Sequence, residues 1–427
     1  MDNHFDVIVI GAGISGITAS HYLQQFTDVT LFESANKIGG HANTVSVADD
    51  KVGFLNVDTG FIVYNDRNYP GFSQFLSELQ VDSVPTNMTF SYSNQENGFS
   101  YAGSVKGLFP DLKGLFDVRR LLFMRDIVKY SKHLRDNVSN FRGRDVIMVD
   151  ALREAGCPDH VISQYFIPIT GAIWSCGNED AAKLPVDTFI NFFDNHGLFS
   201  LLKRPNWFSV KGGSQAYLEV FKRYFKGSIF CNAEVQSIQA ADREYMVRTS
   251  RGSYSQFNYV VFATHANVSL DILRCSDYCN TEVVETLNSY KYTQNEVILH
   301  EDGSFLPDNR SLWASWNVKS MQGHIGNHRS HTTYYMNKLQ RLVTDRKMLV
   351  TVNPISPPRE ETVIKRFIYS HPIMSSTPQD SNRKARLLNR HSGIYFCGAY
   401  TGYGFHEDGY QSGLQVVEAI KNHCYTS

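Results

Sequence analysis

Residues 5–33 read FDVIVIGAGISGITASHYLQQFTDVTLFE. Phe5 to Ile10 is a short β-branched run, Gly11-Ala12-Gly13-Ile14-Ser15-Gly16 breaks it, and Ile17 to Gln25 has helical character. Val29 to Phe32 is a second apolar run, closed by Glu33. A glycine triplet alone also fits an ordinary strand-to-helix connection, and the context separates the two readings. Gly11 permits the tight turn, Gly13 lets a pyrophosphate approach the backbone, and Gly16 lets the helix pack close to the sheet with its positive end towards the phosphates. Glu33 stands 22 residues after Gly11, near the spacing of about 20 at which an acid ending the second strand binds a ribose hydroxyl. Strand, glycine turn, helix, strand and acid together predict a dinucleotide site in a Rossmann-type α/β domain.

The rest of the chain bounds what surrounds that site. At 427 residues and 48.5 kDa, and roughly 150 residues per domain, two to three domains are expected. Apolar residues at 42% against charged residues at 19% supply ample material for cores. The formal charge of -1 leaves no global field for nucleic acid, so no nucleic-acid partner is expected. Seven scattered cysteines, an odd count in a large chain, fit a reducing, cytoplasmic setting better than a disulfide framework. The N-terminus runs into a strand without a basic or cleavable leader, and no stretch reaches the ~18 apolar residues of a spanning helix, so a soluble or peripheral protein is expected.

Further segments refine the cofactor. Lys37-Ile38-Gly39-Gly40-His41-Ala42-Asn43-Thr44 follows the ribose acid, and Asn56-Val57-Asp58-Thr59-Gly60-Phe61 lies beyond it. The first resembles the flavoprotein signature. The second resembles the segment that passes the flavin ring in flavin-containing amine oxidases and their desaturase relatives. The resemblance implies FAD, with Gly39, Gly40, His41, Thr59, Gly60 and Phe61 in its site. It extends through Lys211-Gly212-Gly213-Ser214-Gln215 and the strand Phe230 to Ile238, where Val235 would contact adenine. It reaches Gly393 to Gly398 and the segment Tyr400 to Gly413. There Gly398 precedes a turn over the flavin, and Asp408 and Gly409 open a helix whose positive end favours charge at the flavin pyrimidine.

With Ile173-Trp174-Ser175, Asn195-His196-Gly197, Trp313-Ala314-Ser315-Trp316-Asn317 and Tyr335 to Gln340 added, the pattern looks most like one branch of the superfamily. That branch comprises amine-oxidase-like flavoproteins encoded beside cyclopropane-fatty-acid-synthase-like methyltransferases. It implies a glutathione-reductase-like FAD domain from residues 1–66, 205–270 and 385–427. Residues 67–204 and 271–384 would form an amine-oxidase-like α+β substrate domain. It also implies a hydrophobic or lipid substrate and a methyltransferase partner.

The catalytic groups are read against the same family. Amine oxidases usually carry a lysine that holds water at the flavin, and the matching position here is Glu296, which accepts where ammonium donates. Phe405 matches one member of their aromatic pair, and Tyr400 stands where glutamate is common. His406-Glu407-Asp408 is the densest polar cluster beside the flavin segment. His406 and Glu407 are therefore candidate acid–base groups with Glu296, although capping of a helix explains the same cluster. Trp174, His196, Trp316 and Phe405 are candidates for the substrate pocket, each equally readable as core. His324, His328 and His331 have metal-like spacing on a polar loop without an acidic or cysteine partner, and no metal is expected. Cys275 and Cys279 lack redox-motif spacing. Leu112 to Arg135 has apolar residues at helical spacing and a net charge of +5, readable as a packed helix with a solvated face or as a peripheral membrane contact.

The expectation is an FAD-dependent oxidoreductase that removes hydride from a lipid or fatty-acyl substrate. The alternatives are amine or amino-acid oxidation, double-bond isomerisation, or a non-catalytic flavin-binding partner of a lipid methyltransferase.

Overall fold

The run FDVIVI does not alternate because both of its faces are covered. In the computed structural model, residues 5–103, 117–141, 144–199, 205–241, 244–278, 280–322, 328–374, 378–389 and 393–426 are described. Asp6–Ile10 is the central strand of a five-stranded parallel sheet ordered Ser228–Phe230, Asp28–Phe32, Asp6–Ile10, Tyr259–Phe262, Ile394–Phe396. Ile10 is in register with Phe32 on one side and with Phe262 on the other. Val7, Val9 and Val261 join one core with the helices Ile14–Leu23, Gln215–Tyr224 and His406–Thr426. Ile8, Ile10 and Phe262 point the other way, into a core with the antiparallel strands Val235–Ala241, Glu244–Thr249 and Gly252–Phe257 and the helix Ala266–Arg274. A parallel sheet buried on both faces needs such unbroken apolar strands.

A second, seven-stranded sheet runs Val363–Pro372, Tyr292–His300, Leu349–Val352, His328–Tyr335, Trp316–Gln322, Phe90–Asn94, Ser100–Ala102. The helices Val118–Asp136, Met148–Glu154, Ile167–Trp174 and Val186–Asn195 share a core built on Phe123, Leu152, Phe166, Phe189 and Phe193. The short strand Trp207–Val210 pairs with both Tyr64–Asn65 and Ser83–Thr86, so chain from three separated regions meets in one small sheet.

The two large units are tied at Asp58, the last residue of the hairpin Thr44–Asp49 and Gly53–Asp58. Its carboxylate is fully buried and accepts from Thr44 Oγ1 at 2.6 Å, Ser214 N at 2.8 Å, Ser214 Oγ at 2.8 Å and Gln340 Nε2 at 2.9 Å. Gly213 makes this approach possible, since at φ +90° a Cβ would sit 2.6 Å from the Thr44 methyl. Replacing Asp58 by Asn puts an amide donor among donors. The expected loss is about 2–4 kcal/mol in urea denaturation, against about 1 kcal/mol for Ser214→Ala, which removes one donor and leaves the others. Equal losses would refute the hub role.

Candidate functional site

A cavity of about 540 Å³ runs from the glycine turn, past the carboxyl ends of the parallel strands, to the helices of the second unit. Its first end is backbone. Gly11 adopts φ +99°, and a Cβ there would come within 2.8 Å of the Ala263 carbonyl oxygen. Gly13 caps the helix Ile14–Leu23 without a side-chain hydrogen bond, and no acid stands in the helix's first turn. Its N–H groups are therefore available to an anion. A Cβ on Gly13 would meet nothing within 4 Å, so the turn opens into the cavity. Glu33 is locked at the strand end, with Oε2 accepting from Ala12 N and Oε1 from Ala35 N, both at 2.8 Å. Gly39, Gly40, His41, Val235 and Gly398 line the same end, and Gly60 and Phe61 continue the wall. Thr59 stands one layer back, bonded to the Asn43 carbonyl and the Tyr369 hydroxyl.

The middle of the cavity holds a group that sequence spacing does not reveal. The His41 ring lies 5.9 Å from His265 and 5.0 Å from His371, centroid to centroid. The Asn295 amide donates to His371 Nδ1 at 2.6 Å, so the ring proton of His371 sits on Nε2. His41 Nε2 is buried without a hydrogen-bond partner among the described residues. Burial pushes His371 down to about 4 and His41 well below the ordinary range, with the neighbouring imidazoles adding to the effect. No Lys or Arg lines the cavity among the described residues. His265 caps the helix that follows the strand Tyr259–Phe262, and His371 lies one residue from the end of Val363–Pro372. That position was the available signal for them.

The far end is aromatic. Trp174 and Phe192 lie 4.7 Å apart, and Phe192 stacks on Phe405 at 4.9 Å. Trp207, Trp316 and Tyr334 extend the wall. His196 stacks on Phe192 at 3.7 Å and donates from Nδ1 to the Phe192 carbonyl at 2.9 Å, leaving Nε2 as an acceptor. Burial takes His196 down to about 4, so it is neutral at pH 7. Phe192, Trp207 and Tyr334 were not among the sequence candidates.

Several candidates land elsewhere. Glu296 does not line the cavity; it sits on the outer face of its strand and pairs with Arg366 at 3.2 Å. Strand residues alternate, and it is the neighbouring Asn295 that turns inward to His371. Glu407 caps a different helix, accepting from Gly71 N at 3.0 Å and Phe72 N at 2.8 Å at the start of Pro70–Glu78. His406 reaches the cavity wall, but it stacks on Phe61 at 3.7 Å, meets the Tyr217 hydroxyl at 3.1 Å, and is held by burial at about 3. It is a neutral packed ring at pH 7, not the titrating acid–base group expected. Asp408 accepts from Phe405 N at 2.9 Å, closing the turn that starts its own helix. Gly409 gives close helix contact, since its Cβ would lie 2.6 Å from Ile14 Cγ2. Neither Asp408 nor Gly409 lines the cavity. His331 is buried against Phe305, and no group of three potential ligands among the described residues could hold a metal. His324, the side chain of His328, and Cys279 lie outside the described residues. No helix of the described residues is long and apolar enough to cross a membrane.

The buried imidazoles carry a stability consequence. Unfolded histidine titrates near 6.5, whereas folded His406 titrates at about 3 and His371 and His196 at about 4. Between those values and 6.5 only the unfolded chain binds the protons, so stability is lost as pH falls. Asp58, raised by burial to about 6, and Asp408, raised to about 7, act oppositely, retaining protons in the native state and gaining stability as pH falls towards 4. Five lowered imidazoles line the cavity against these two carboxyls. The urea midpoint is therefore expected to be lower at pH 5 than at pH 7.5, and a flat or rising profile would refute neutral imidazoles.

Comparison with known proteins agrees with this geometry. The chain is 28% identical over 210 residues to coproporphyrinogen III oxidase of Staphylococcus aureus (strain NCTC 8325 / PS 47). That match spans 46% of this chain and 42% of the relative, less than half the length of either. Among solved structures, cyclohexylamine oxidase from Brevibacterium oxydans IH-35A superposes with a TM-score of 0.69 at 13% identity, covering 99% of this chain and 100% of its own. A CLA-producing fatty acid isomerase from P. acnes does so with a TM-score of 0.66 at 14% identity, covering 98% and 99%. At these identities the likeness is one of fold. The family model of the flavin-containing amine oxidoreductases matches residues 14–421. The family match spans the glycine turn, the carboxylate fixed at the second strand's end and the cavity behind them, so the chain belongs to the flavin-containing amine oxidoreductase family, and its cofactor is FAD.

Proposed function

We propose that the protein oxidises a C–H bond of a hydrophobic substrate, an acyl chain or similar lipid, as a desaturase or dehydrogenase. The observation that carries this reading is the aromatic end of the cavity. Trp174, Phe192, Phe405, Trp207, Trp316 and Tyr334 face the space beyond the flavin segment, and the acids lining the cavity, Glu33 and Glu234, lie at the nucleotide end. Among the described residues, a protonated amine finds no carboxylate there, and a polyanionic head group finds no Lys or Arg. An uncharged chain loses little on entering such a pocket and gains from the aromatic surface.

FAD, when bound, would supply the hydride acceptor. The chain's own residues position it and the substrate. Glu33 and the Gly11–Gly13 turn would hold the nucleotide, Gly60 and Phe61 would flank the flavin, and the aromatic wall would keep water from the reacting carbon. His196 Nε2 is a neutral acceptor at that wall, suited to orient a hydroxyl or ester-bearing group rather than to carry charge. The fold shared with a fatty acid isomerase supports an acyl ligand, and that shared with cyclohexylamine oxidase supports the competing amine reading.

The deciding measurement is the visible flavin spectrum under anaerobic conditions. A phospholipid or fatty-acyl extract is expected to bleach both bands while simple primary amines leave them, and the reverse pattern would sink the lipid reading. Phe405→Ala is expected to slow the lipid bleaching roughly tenfold at unchanged flavin content, since it removes the ring that closes the pocket. Glu33→Ala is expected to weaken FAD binding by at least about tenfold, read by flavin fluorescence on adding FAD to the apoprotein. Unchanged affinity would show that Glu33 does not contact the nucleotide.

A further inference from the structure

The helix Val118–Asp136 packs one face on the substrate-side core through Phe123, Ile127, Tyr130 and Leu134, all buried. Its other face leaves large apolar side chains in water. Val118 is 64% exposed, Leu121 45%, Leu122 43% and Val128 55%, a concentration on one element that no other described helix shows. These positions recur at three- and four-residue spacing with Arg125, Lys129 and Lys132, which are also exposed, so all seven share one stripe. Between Val118 and Lys132 no acid lies on that stripe. Asp126 is turned to the buried side, where it pairs with Arg125 at 2.7 Å. The whole helix carries Arg119, Arg120, Arg125, Lys129, Lys132 and Arg135 against Asp126 and Asp136. The chain's overall charge of -1 makes this a local concentration.

We propose that this face docks the protein on an anionic lipid surface. An amphipathic helix binds an interface when its apolar side chains reach the acyl boundary and flanking lysines extend to the phosphate level. Here the leucines and valines supply the first element and Lys129 and Lys132 the second, with Arg125 beside them held by Asp126. Charge complementarity selects the occupant. A second copy using the same face would set lysines against lysines, because a two-fold interface pairs a patch with itself. An acidic bilayer meets both the charge and the apolar stripe. The inference stands on the helix alone and holds whether the enzyme's substrate is a lipid or an amine.

The test is flotation of the full-length holoenzyme with phosphatidylcholine vesicles, with and without phosphatidylglycerol. Binding is expected to the anionic vesicles, to weaken with added salt, and to be absent with phosphatidylcholine alone. Leu121→Gln with Leu122→Gln is expected to lower binding at least about tenfold, and Lys129→Gln with Lys132→Gln by about fivefold for each lysine. Glutamine keeps helix propensity at these exposed sites, and flavin content with circular dichroism confirms that each variant folds. No flotation with anionic vesicles would overturn the proposal. So would flotation that both double variants leave unchanged, or a vesicle-independent oligomer that the leucine variant dissolves, which would assign the face to a protein partner.

Discussion

Asp58 is the charge around which the two halves of the molecule are arranged. A carboxylate removed from water is costly unless its lone pairs are filled, and the residues that fill them come from its own hairpin and from two distant stretches. Thr44 belongs to the same hairpin as Asp58, Ser214 precedes the helix Gln215–Tyr224, and Gln340 lies between the strands His328–Tyr335 and Leu349–Val352 of the second sheet. Each donor is spent on one group, so moving either unit strands a buried charge. Thr59, Gly60 and Phe61 follow immediately, so the stretch of cavity wall formed by Gly60 and Phe61 begins two residues from this anchor.

The cavity is walled by aromatic rings and carries no Lys or Arg among the described residues where chemistry is expected. Its middle carries imidazoles instead of ammonium or guanidinium, and burial holds them neutral. Neutral rings donate and accept hydrogen bonds without attracting the water that a fixed charge would bring. Such surroundings suit transfer from carbon to a bound flavin, for which position and exclusion of solvent matter more than a strong acid or base. His371 shows how this is arranged. Asn295 fixes its proton on Nε2, and the tautomer is set by one side-chain amide adjacent in its strand to a surface ion pair.

The displacement of Glu296 has the same origin. Aligned by motif, it occupies the place of a catalytic lysine; in the folded strand it belongs to the opposite face, because successive residues alternate. One residue of register separates a cavity group from an exposed partner of Arg366. Glu407 and Asp408 illustrate a related point. Both are acids near a helix start, and both are consumed by backbone N–H groups, one of another helix and one of its own.

Local order was legible in the chain before folding. FDVIVI, the glycine turn and Glu33 name a dinucleotide site because each residue does its work within a few positions of the next, through turn geometry and backbone approach. The aromatic candidates Trp174, His196, Trp316 and Phe405 were legible as types, and the fold gathers them into one wall. What no stretch of sequence contains is the meeting of His41 from a turn, His265 from a helix cap and His371 from a strand end, or the choice of Asn295 over Glu296 as the inward residue. Those follow from strand register and from which side chains burial forces together. Both are properties of the packed whole: hydrogen-bond registers between strands, and the exclusion of water that sets each buried group's charge, exist only once distant segments are in contact.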